Sequence, residues 1–457
     1  MTRKCYLIKG VLLLALIQCS LATQPAAAQA AAQQDQGKTS YTIPEYNAFQ
    51  AARAETNAQS RLKLLDDFVS KFPNSTLMPY VNQLYLSTYS ESKDYAKVIE
   101  TADKMIAMGD KVDAATRLQA LQSRVQAFAS AFNPKLPDAH DQLTKERDAA
   151  RQGADLLSKY PKPANSTMTD AQFADQKKPG LAFFYASAGF ADLQLKDYPA
   201  AVDDFKAGLA NNPNDAVTYY RLGLAYLGMN PPQSMDGFWA LARAINLKVP
   251  DADKIKDYLR KAILAYEQPG CDSSVDAQVN ELLTLAGTTG DRPGTYTIPS
   301  AADLQKIAQG STILTVINDL SAGGDKAKTT WLAICGAQFP GVVGKIIEAK
   351  PGQGFVDFMV FTGASEDEVD KATTPNMDVK VWTQAPPPGT PGAAQDTPQP
   401  DVARLQKDDG IRFSGAIASY DPSPFLLHWD QVKVDPAAIP EKAETGKHHK
   451  VPPKQQQ

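Results

Sequence analysis

An α + β multidomain fold is what this chain of 457 residues predicts: an all-helical superhelix of repeated helix pairs, followed by a small five-stranded β-barrel. Three observations predict it. Between Gly180 and Leu247 the chain says nearly the same thing twice. Ala182, Tyr185, Gly189 and Ala191 return as Ala216, Tyr219, Gly223 and Ala225, each 34 positions on. From Phe339 the apolar period changes from helical to alternating, the mark of half-buried strands. Between the two lies Thr288 to Pro299, rich in Gly, Pro and Thr, a composition that marks a domain boundary.

The first 30 residues are expected to lie outside the fold. Arg3, Lys4 and Lys9 give a basic start, and Val11 to Ala22 is an apolar run too short for an ordinary membrane span. An alanine-rich stretch follows, with Ala26-Ala27-Ala28 or Ala28-Gln29-Ala30 as a small-x-small cleavage site, so residues 1–30 read as a secretory signal peptide. Leu16-Ile17-Gln18-Cys19 is similar to a bacterial lipoprotein box, but Gln18 stands where a small residue is wanted, and lipidation of Cys19 is not expected. No later segment is apolar enough for a transmembrane anchor. The expected product is periplasmic or secreted, after a polar, disordered lead over 31–40.

Residues 41–287 read as helix pairs. Tyr46, Phe49 and Ala52 space like one apolar face, Leu62, Leu65, Phe68 and Val69 like the next, and Phe72-Pro73-Asn74-Ser75 ends the pair. Leu84, Tyr89, Tyr95, Ala102 and Met105 suit a second pair. Leu118, Leu121, Val125 and Phe128 form a stripe in a third, whose partner helix runs near Ala149 to Leu157. Pro161 to Pro179 reads as a long loop. Two repeats follow, with Tyr185, Gly189, Tyr198, Ala201, Phe205 and Pro213 in one and Tyr219, Leu222, Gly223 and Tyr226 in the next. Glycines at 189 and 223 allow close approach of paired helices, Tyr185 and Phe205 fill the space between them, and Pro213 stops the second helix. Asn230-Pro231-Pro232 lengthens the turn in the second copy. Asp253 to Tyr266 and Val275 to Leu285 suit closing helices.

On those residues and that period the chain resembles the tetratricopeptide repeat family. Asp67 to Ser75 is also similar to openings seen in envelope proteins of that family, outer-membrane assembly lipoproteins included. The resemblance implies stacked helix pairs with a concave face that holds other proteins. The binding residues are then polar or aromatic side chains on first helices, away from the packing positions, and Tyr220 and Arg221 are the candidates.

Residues 288–338 are expected to be a linker with connecting helices, Ala301 to Ala308 among them, and a turn at Ser321 to Asp325. The barrel is expected over 339–436, with strands Val342 to Glu348, Gly354 to Thr362, Met377 to Thr383, Gly410 to Tyr420 and Phe425 to Val434. Gly344 and Gly415 inside strands suggest bulges or bends. Residues 385–400 are a Pro/Gly/Ala run expected to be disordered, and 437–457 a disordered tail. Five short strands with a longer third connection are similar to the OB-fold, although only Val402 to Leu405 stands in for the helix that usually precedes the fourth strand. That resemblance implies oligonucleotide or sugar binding across the strands, and Phe355, Phe358, Phe361, Trp382, Phe413 and Trp429 suit either stacking or core. Little basic charge is interleaved with them, and nucleic acid is not an expected partner.

Chemistry is not evident. Net charge is −4, and the four histidines are His140, His428, His448 and His449. No zinc-protease, nucleophile-elbow or phosphate-loop motif is present. Cys271 and Cys335, left after signal removal, are too few for a four-cysteine zinc site; pairing and separate burial both fit the sequence. Asp203-Asp204 and Asp408-Asp409 read as solvated surface, since adjacent helix residues do not face each other. No catalytic residue, metal or cofactor is expected. The function class is an interaction scaffold holding a protein partner, ahead of an envelope-assembly subunit and of an oligonucleotide- or glycan-binding barrel.

Overall fold

The computed structural model describes residues 41–268, 272–387 and 397–441. The signal peptide, the polar lead, most of the 385–400 run, the tail from residue 442, Cys19 and Cys271 lie outside the described residues. By its contacts the chain divides into two compact units, Met1–Lys256 with Leu283–Arg292, and Asp257–Leu282 with Pro293–Gln457.

The first unit is a succession of helix pairs: α1 (Ile43–Ala54) and α2 (Ala58–Lys71), α3 (Met78–Glu91) and α4 (Tyr95–Ala107), α5 (Ala114–Ala131) and α6 (Ala139–Lys159). α7 (Asp170–Leu195) with α8 (Tyr198–Asn211) and α9 (Ala216–Gly228) with α10 (Ser234–Asn246) carry the 34-residue period. Short polar side chains start the helices. Asn57, Asp94, Asp113, Thr169, Asp197 and Asp215 each accept a backbone N–H of the first turn, which satisfies donors the helix itself leaves open. Each pair buries its apolar stripe against the next. Leu65, Phe68 and Val81 make one cluster, Val98, Ala102 and Met105 another, and Phe205, Leu222 and Ala225 a third.

The repeat glycines are where helices touch. A Cβ on Gly189 would lie 2.7 Å from the Phe205 ring, and one on Gly223 would lie 2.8 Å from Leu241. Phe205 is fully buried and Tyr185 half-buried, as the repeat pattern requires. Asn230-Pro231-Pro232 falls in the turn between α9 and α10. Past that insertion the second copy keeps its packing: Gly237 meets Leu227, and Phe238 and Leu241 are buried.

One stretch differs from the sequence reading. The expected loop from Pro161 to Pro179 ends early, because α7 starts at Asp170 with a reciprocal cap between Thr169 and Gln172, and Pro179 lies inside the helix. A proline there forfeits one ladder hydrogen bond. Two local contacts hold the extension: the Lys177 ammonium donates to the Ser158 carbonyl at the end of α6, at 2.7 Å, and lies over the Phe173 ring.

Two further helices, α11 (Ala252–Glu267) and α12 (Asp272–Thr288), each contribute to both units. The end of α12 is fastened to α10. Arg243 donates at 2.8 Å to the Ala286 carbonyl, one of those the helix terminus leaves open, and Asn246 donates to that of Leu283 at 2.7 Å.

In the second unit α13 (Ala301–Gly310), α14 (Ile313–Ala322) and α15 (Gly324–Ile334) precede β1 (Gln338–Pro351). The turn expected at Ser321 to Asp325 is tight, with Gly323 and Gly324 both at positive φ, a conformation glycine adopts without steric cost. β2 (Phe355–Phe361), β3 (Met377–Trp382), β4 (Gly410–Pro422) and β5 (Phe425–Val434) close with β1 into a barrel ordered β1-β2-β3-β5-β4. β3 and β5 run parallel and the other pairs antiparallel. Val316, Leu320, Ala327 and Ile334 from α14 and α15 join Ile346, Phe358, Val379, Phe413 and Trp429 in one core, so these helices belong to the barrel's packing.

Gly415 sits at a register shift between β4 and β5, the expected bulge. Gly344 serves differently: a Cβ there would lie 2.5 Å from a Val360 methyl and 2.7 Å from the Phe361 carbonyl. Close approach of strands excludes a side chain. A short helix, α16 (Glu366–Lys371), connects β2 to β3, and a 3-10 turn at Pro400–Arg404 precedes β4.

Candidate partner-binding face and polar clusters of the helix pairs

α9 presents both sequence-derived candidates. Asp215 starts the helix by accepting from the Val217 and Thr218 amides and from the Thr218 hydroxyl, the last at 2.8 Å. That cap fixes the rotation of the first turn. Leu222, Gly223 and Ala225 then face inward and are buried. Tyr220 and Arg221 are half-buried, and the Arg221 guanidinium lies over the Phe190 ring of α7, 4.7 Å from its centroid. A cation over an aromatic face is favourable, more so when partly desolvated. Burial holds the Arg221 pKa below its ordinary value, against the pull of Asp215 and Tyr220. Among the described residues Arg221 makes no ion pair. Phe190 supplies the neighbouring part of this face, and the repeat register would have found it: it follows Gly189 as Leu224 follows Gly223.

Tyr219 has a structural task. Its ring receives the Arg243 guanidinium at 5.4 Å, beside the bonds that fasten α12. Tyr185, Tyr198, Ala201, Leu222 and Tyr226 are likewise packing residues, half-buried or buried between helices.

Two buried polar clusters went unread in the sequence. Arg124 of α5 donates to Asp103 of α4 at 2.7 Å and to Glu146 of α6 at 2.6 Å, and Arg124 and Glu146 are almost wholly buried. Burial pushes the Glu146 carboxyl up to about 8, against the pull of Arg124. One residue on, Arg147 and Arg151 of α6 face Asp192 of α7, and Arg151 also holds Asp204 of α8. Asp203 is exposed as expected, but Asp204 is 8% exposed, which corrects the solvated reading of that pair. Adjacent helix residues point about 100° apart, so one of two aspartates turns inward. Asp408-Asp409 lies in a turn, with Asp409 accepting the Gln406 amide.

In the barrel Phe358, Phe413, Trp429 and Trp382 are buried, and Phe355 and Phe361 are half-buried. Phe413 and Trp429 meet edge to face in the core at 5.0 Å. Four of the six aromatics offered for stacking are therefore core. His428 stands on β5 between two carboxylates, 3.0 Å from Asp378 on β3 and 3.0 Å from Asp421 on β4. Burial opposes its charge, yet hydrogen bonds to Asp421 and Asp378 prevail and raise its pKa. Cys335 is in a disulfide, while Cys271 lies outside the described residues. Among the described residues no cluster of His, Cys, Asp or Glu suits a metal ion, and no helix is long and apolar enough to cross a membrane.

No protein-family model and no curated protein matches the chain. A crystal structure of the C-terminal part of a TPR repeat-containing protein from Cytophaga hutchinsonii is similar over 54% of this chain and 95% of its own. The identity is 15% and the TM-score 0.24, at which the likeness carries no argument. What stands is the molecule itself: helix pairs at a 34-residue period, followed by a closed five-stranded barrel.

Proposed function

We propose that this protein is a non-catalytic interaction scaffold of the tetratricopeptide type, exported to the bacterial envelope, whose first-helix face holds a segment of a partner protein. The observation that carries this reading is the Phe190–Arg221 pair. Two successive first helices bring an aromatic ring and a guanidinium together, each still partly exposed, with Tyr220 next to Arg221 in the chain. Aromatic and arginine side chains of this kind are the usual anchors of protein recognition. The barrel, OB-like in its strand order, is given no part of the binding in this reading, because most of its aromatics are spent on its own core.

The test is in-cell crosslinking and pull-down of the full chain, with partners identified by mass spectrometry, against an Arg221→Ala, Phe190→Ala variant. Envelope proteins captured by the native chain and lost from the variant support the scaffold. Equal capture by both, with the barrel enough for it, moves the binding function there.

A further inference from the structure

Asp192 occupies a place where the next copy of the repeat has a large aromatic: Tyr226 stands 34 residues later, in the same position of the next first helix. A carboxylate there is costly. Asp192 is 0% exposed, and its Oδ1 has no hydrogen-bond partner, with the Arg147 guanidinium 3.8 Å off. Its Oδ2 accepts from Nη2 of Arg151 at 2.6 Å, and that same nitrogen also serves Oδ2 of Asp204 at 2.8 Å. One guanidinium nitrogen thus gathers two carboxylates, from α7 and from α8, onto α6. Removing two such charges from water is repaid only when each oxygen is satisfied, and two close carboxylates resist ionising together.

We propose that Asp192 and Asp204 share a single proton and so form a proton-operated catch between α6 and the pair α7–α8. With the proton in place one carboxyl donates to the other, the two acids carry one negative charge against Arg151, and the joint is closed. When the proton leaves to solvent, a second buried negative charge remains, with one of its oxygens unmatched. The two aspartates then repel, and the bonds that tie α7 and α8 to α6 compete. Stability in a stack of repeats is largely a sum of such joints, so a loosened one is felt locally. α7 also supplies Phe190, which places the catch on a helix of the candidate binding face.

The charges acting on Asp192 are Arg151, Asp204 and Arg147, and Asp148 acts in turn on Arg151. Glu146, beside them on α6, answers to Arg124 and Asp103. Burial drives Asp192 upward, against Arg151 and Arg147 and with Asp204 adding, to about 7. An acid raised in the folded state stabilises it below the unfolded value near 3.9, and that contribution fades as pH rises to the folded value. The catch is closed in mild acid and released above about pH 7.

The experiment is a carboxyl-carbon NMR titration of the full chain, labelled at aspartate 13Cγ, from about pH 5 to 9. Asp192→Asn and Asp204→Asn assign the two signals. Expected are coupled shifts of both carbons with a transition near neutrality, and a fall of the Asp192 transition by about one pH unit or more in Asp204→Asn. Hydrogen exchange of α7 and α8, corrected for intrinsic rates, then speeds up across the same window in the native chain and not in Asp204→Asn. Asp192 and Asp204 both fully ionised at pH 5 would overturn the proposal, and so would a native chain in which every aspartate carbon is ionised at that pH, a result that needs no assignment and no variant. An exchange window that survives in Asp204→Asn and vanishes in Glu146→Gln would overturn it too, by assigning the change to Glu146.

Discussion

Gly189 and the Phe205 ring are in contact across α7 and α8, so close that a methyl on the glycine would lie 2.7 Å from the ring. Phe205 has no room to retreat, being fully buried among Ala201, Leu209, Leu222 and Ala225. Gly189→Ala should therefore cost about 1–3 kcal/mol, as overpacking of a tight core does, although alanine is the better helix former. Urea unfolding of the two chains measures it. A gain in stability would mean that the helices slide apart freely, and that the glycine is not what sets their spacing.

Arg124 ties three helices through Asp103 and Glu146, and Glu146 is 1% exposed. Arg124→Ala should cost about 1–3 kcal/mol at neutral pH, because Glu146, kept protonated by its raised pKa, loses the donor beside it in a buried place. The loss should grow above about pH 8, where Glu146 ionises and only the native chain holds a cation beside the buried carboxylate. Burial raises Glu146 to about 8 in the folded chain, so its proton stabilises the fold at low pH and this contribution is lost as pH rises toward 8. Thermal melts at pH 5, pH 7 and pH 9 for the native chain, Arg124→Ala and Glu146→Gln check the sign. Glu146→Gln should flatten the native slope.

His428 links three strands, lying between Asp378 and Asp421. Its folded pKa is raised, so it stabilises the barrel below the unfolded value near 6.5 and stops doing so as pH rises through the folded value. His428→Gln should remove this part of the pH dependence and leave the melting temperature in alkali nearly unchanged. Tryptophan fluorescence follows the transition, with Trp331, Trp382 and Trp429 in the second unit and Trp239 alone in the first, so Trp239→Phe serves as the background for both chains. An unaltered pH profile in His428→Gln would show that the two carboxylates do not hold the imidazolium.

What the sequence made legible was periodic. The 34-residue spacing located α7 to α10, and alternation located five strands, because both record which face of an element is buried. Pro179 misled by looking like a helix stop, when the cap at Thr169 and the packing of Phe184 against Gly153 outweigh one lost hydrogen bond. α14 and α15 read as linker, since nothing local says that Val316, Leu320 and Ile334 complete a barrel core. The polar clusters were further out of reach. Arg151 and Asp204 lie 53 residues apart, and no period relates them. Asp192 went unread as well, although the repeat register sets it opposite Tyr226, a charge in one copy and an aromatic in the other.

The candidate face depends on the start of α9, where Asp215 receives the Val217 and Thr218 amides and the Thr218 hydroxyl. Tyr220 and Arg221 follow within the next turn, so the cap sets where they point. Asp215→Ala removes the acceptor and should cost about 1 kcal/mol, the ordinary worth of an N-cap, whereas Asp215→Asn keeps an oxygen in place and should cost only a fraction of that. Hydrogen exchange at the first turn of α9 should rise in the alanine variant alone. If Tyr220 and Arg221 hold a partner, the same variant should weaken its capture although Asp215 itself lies before the helix. Capture unchanged despite a frayed first turn would place the binding residues elsewhere, and Phe190 of α7 would be the next to test.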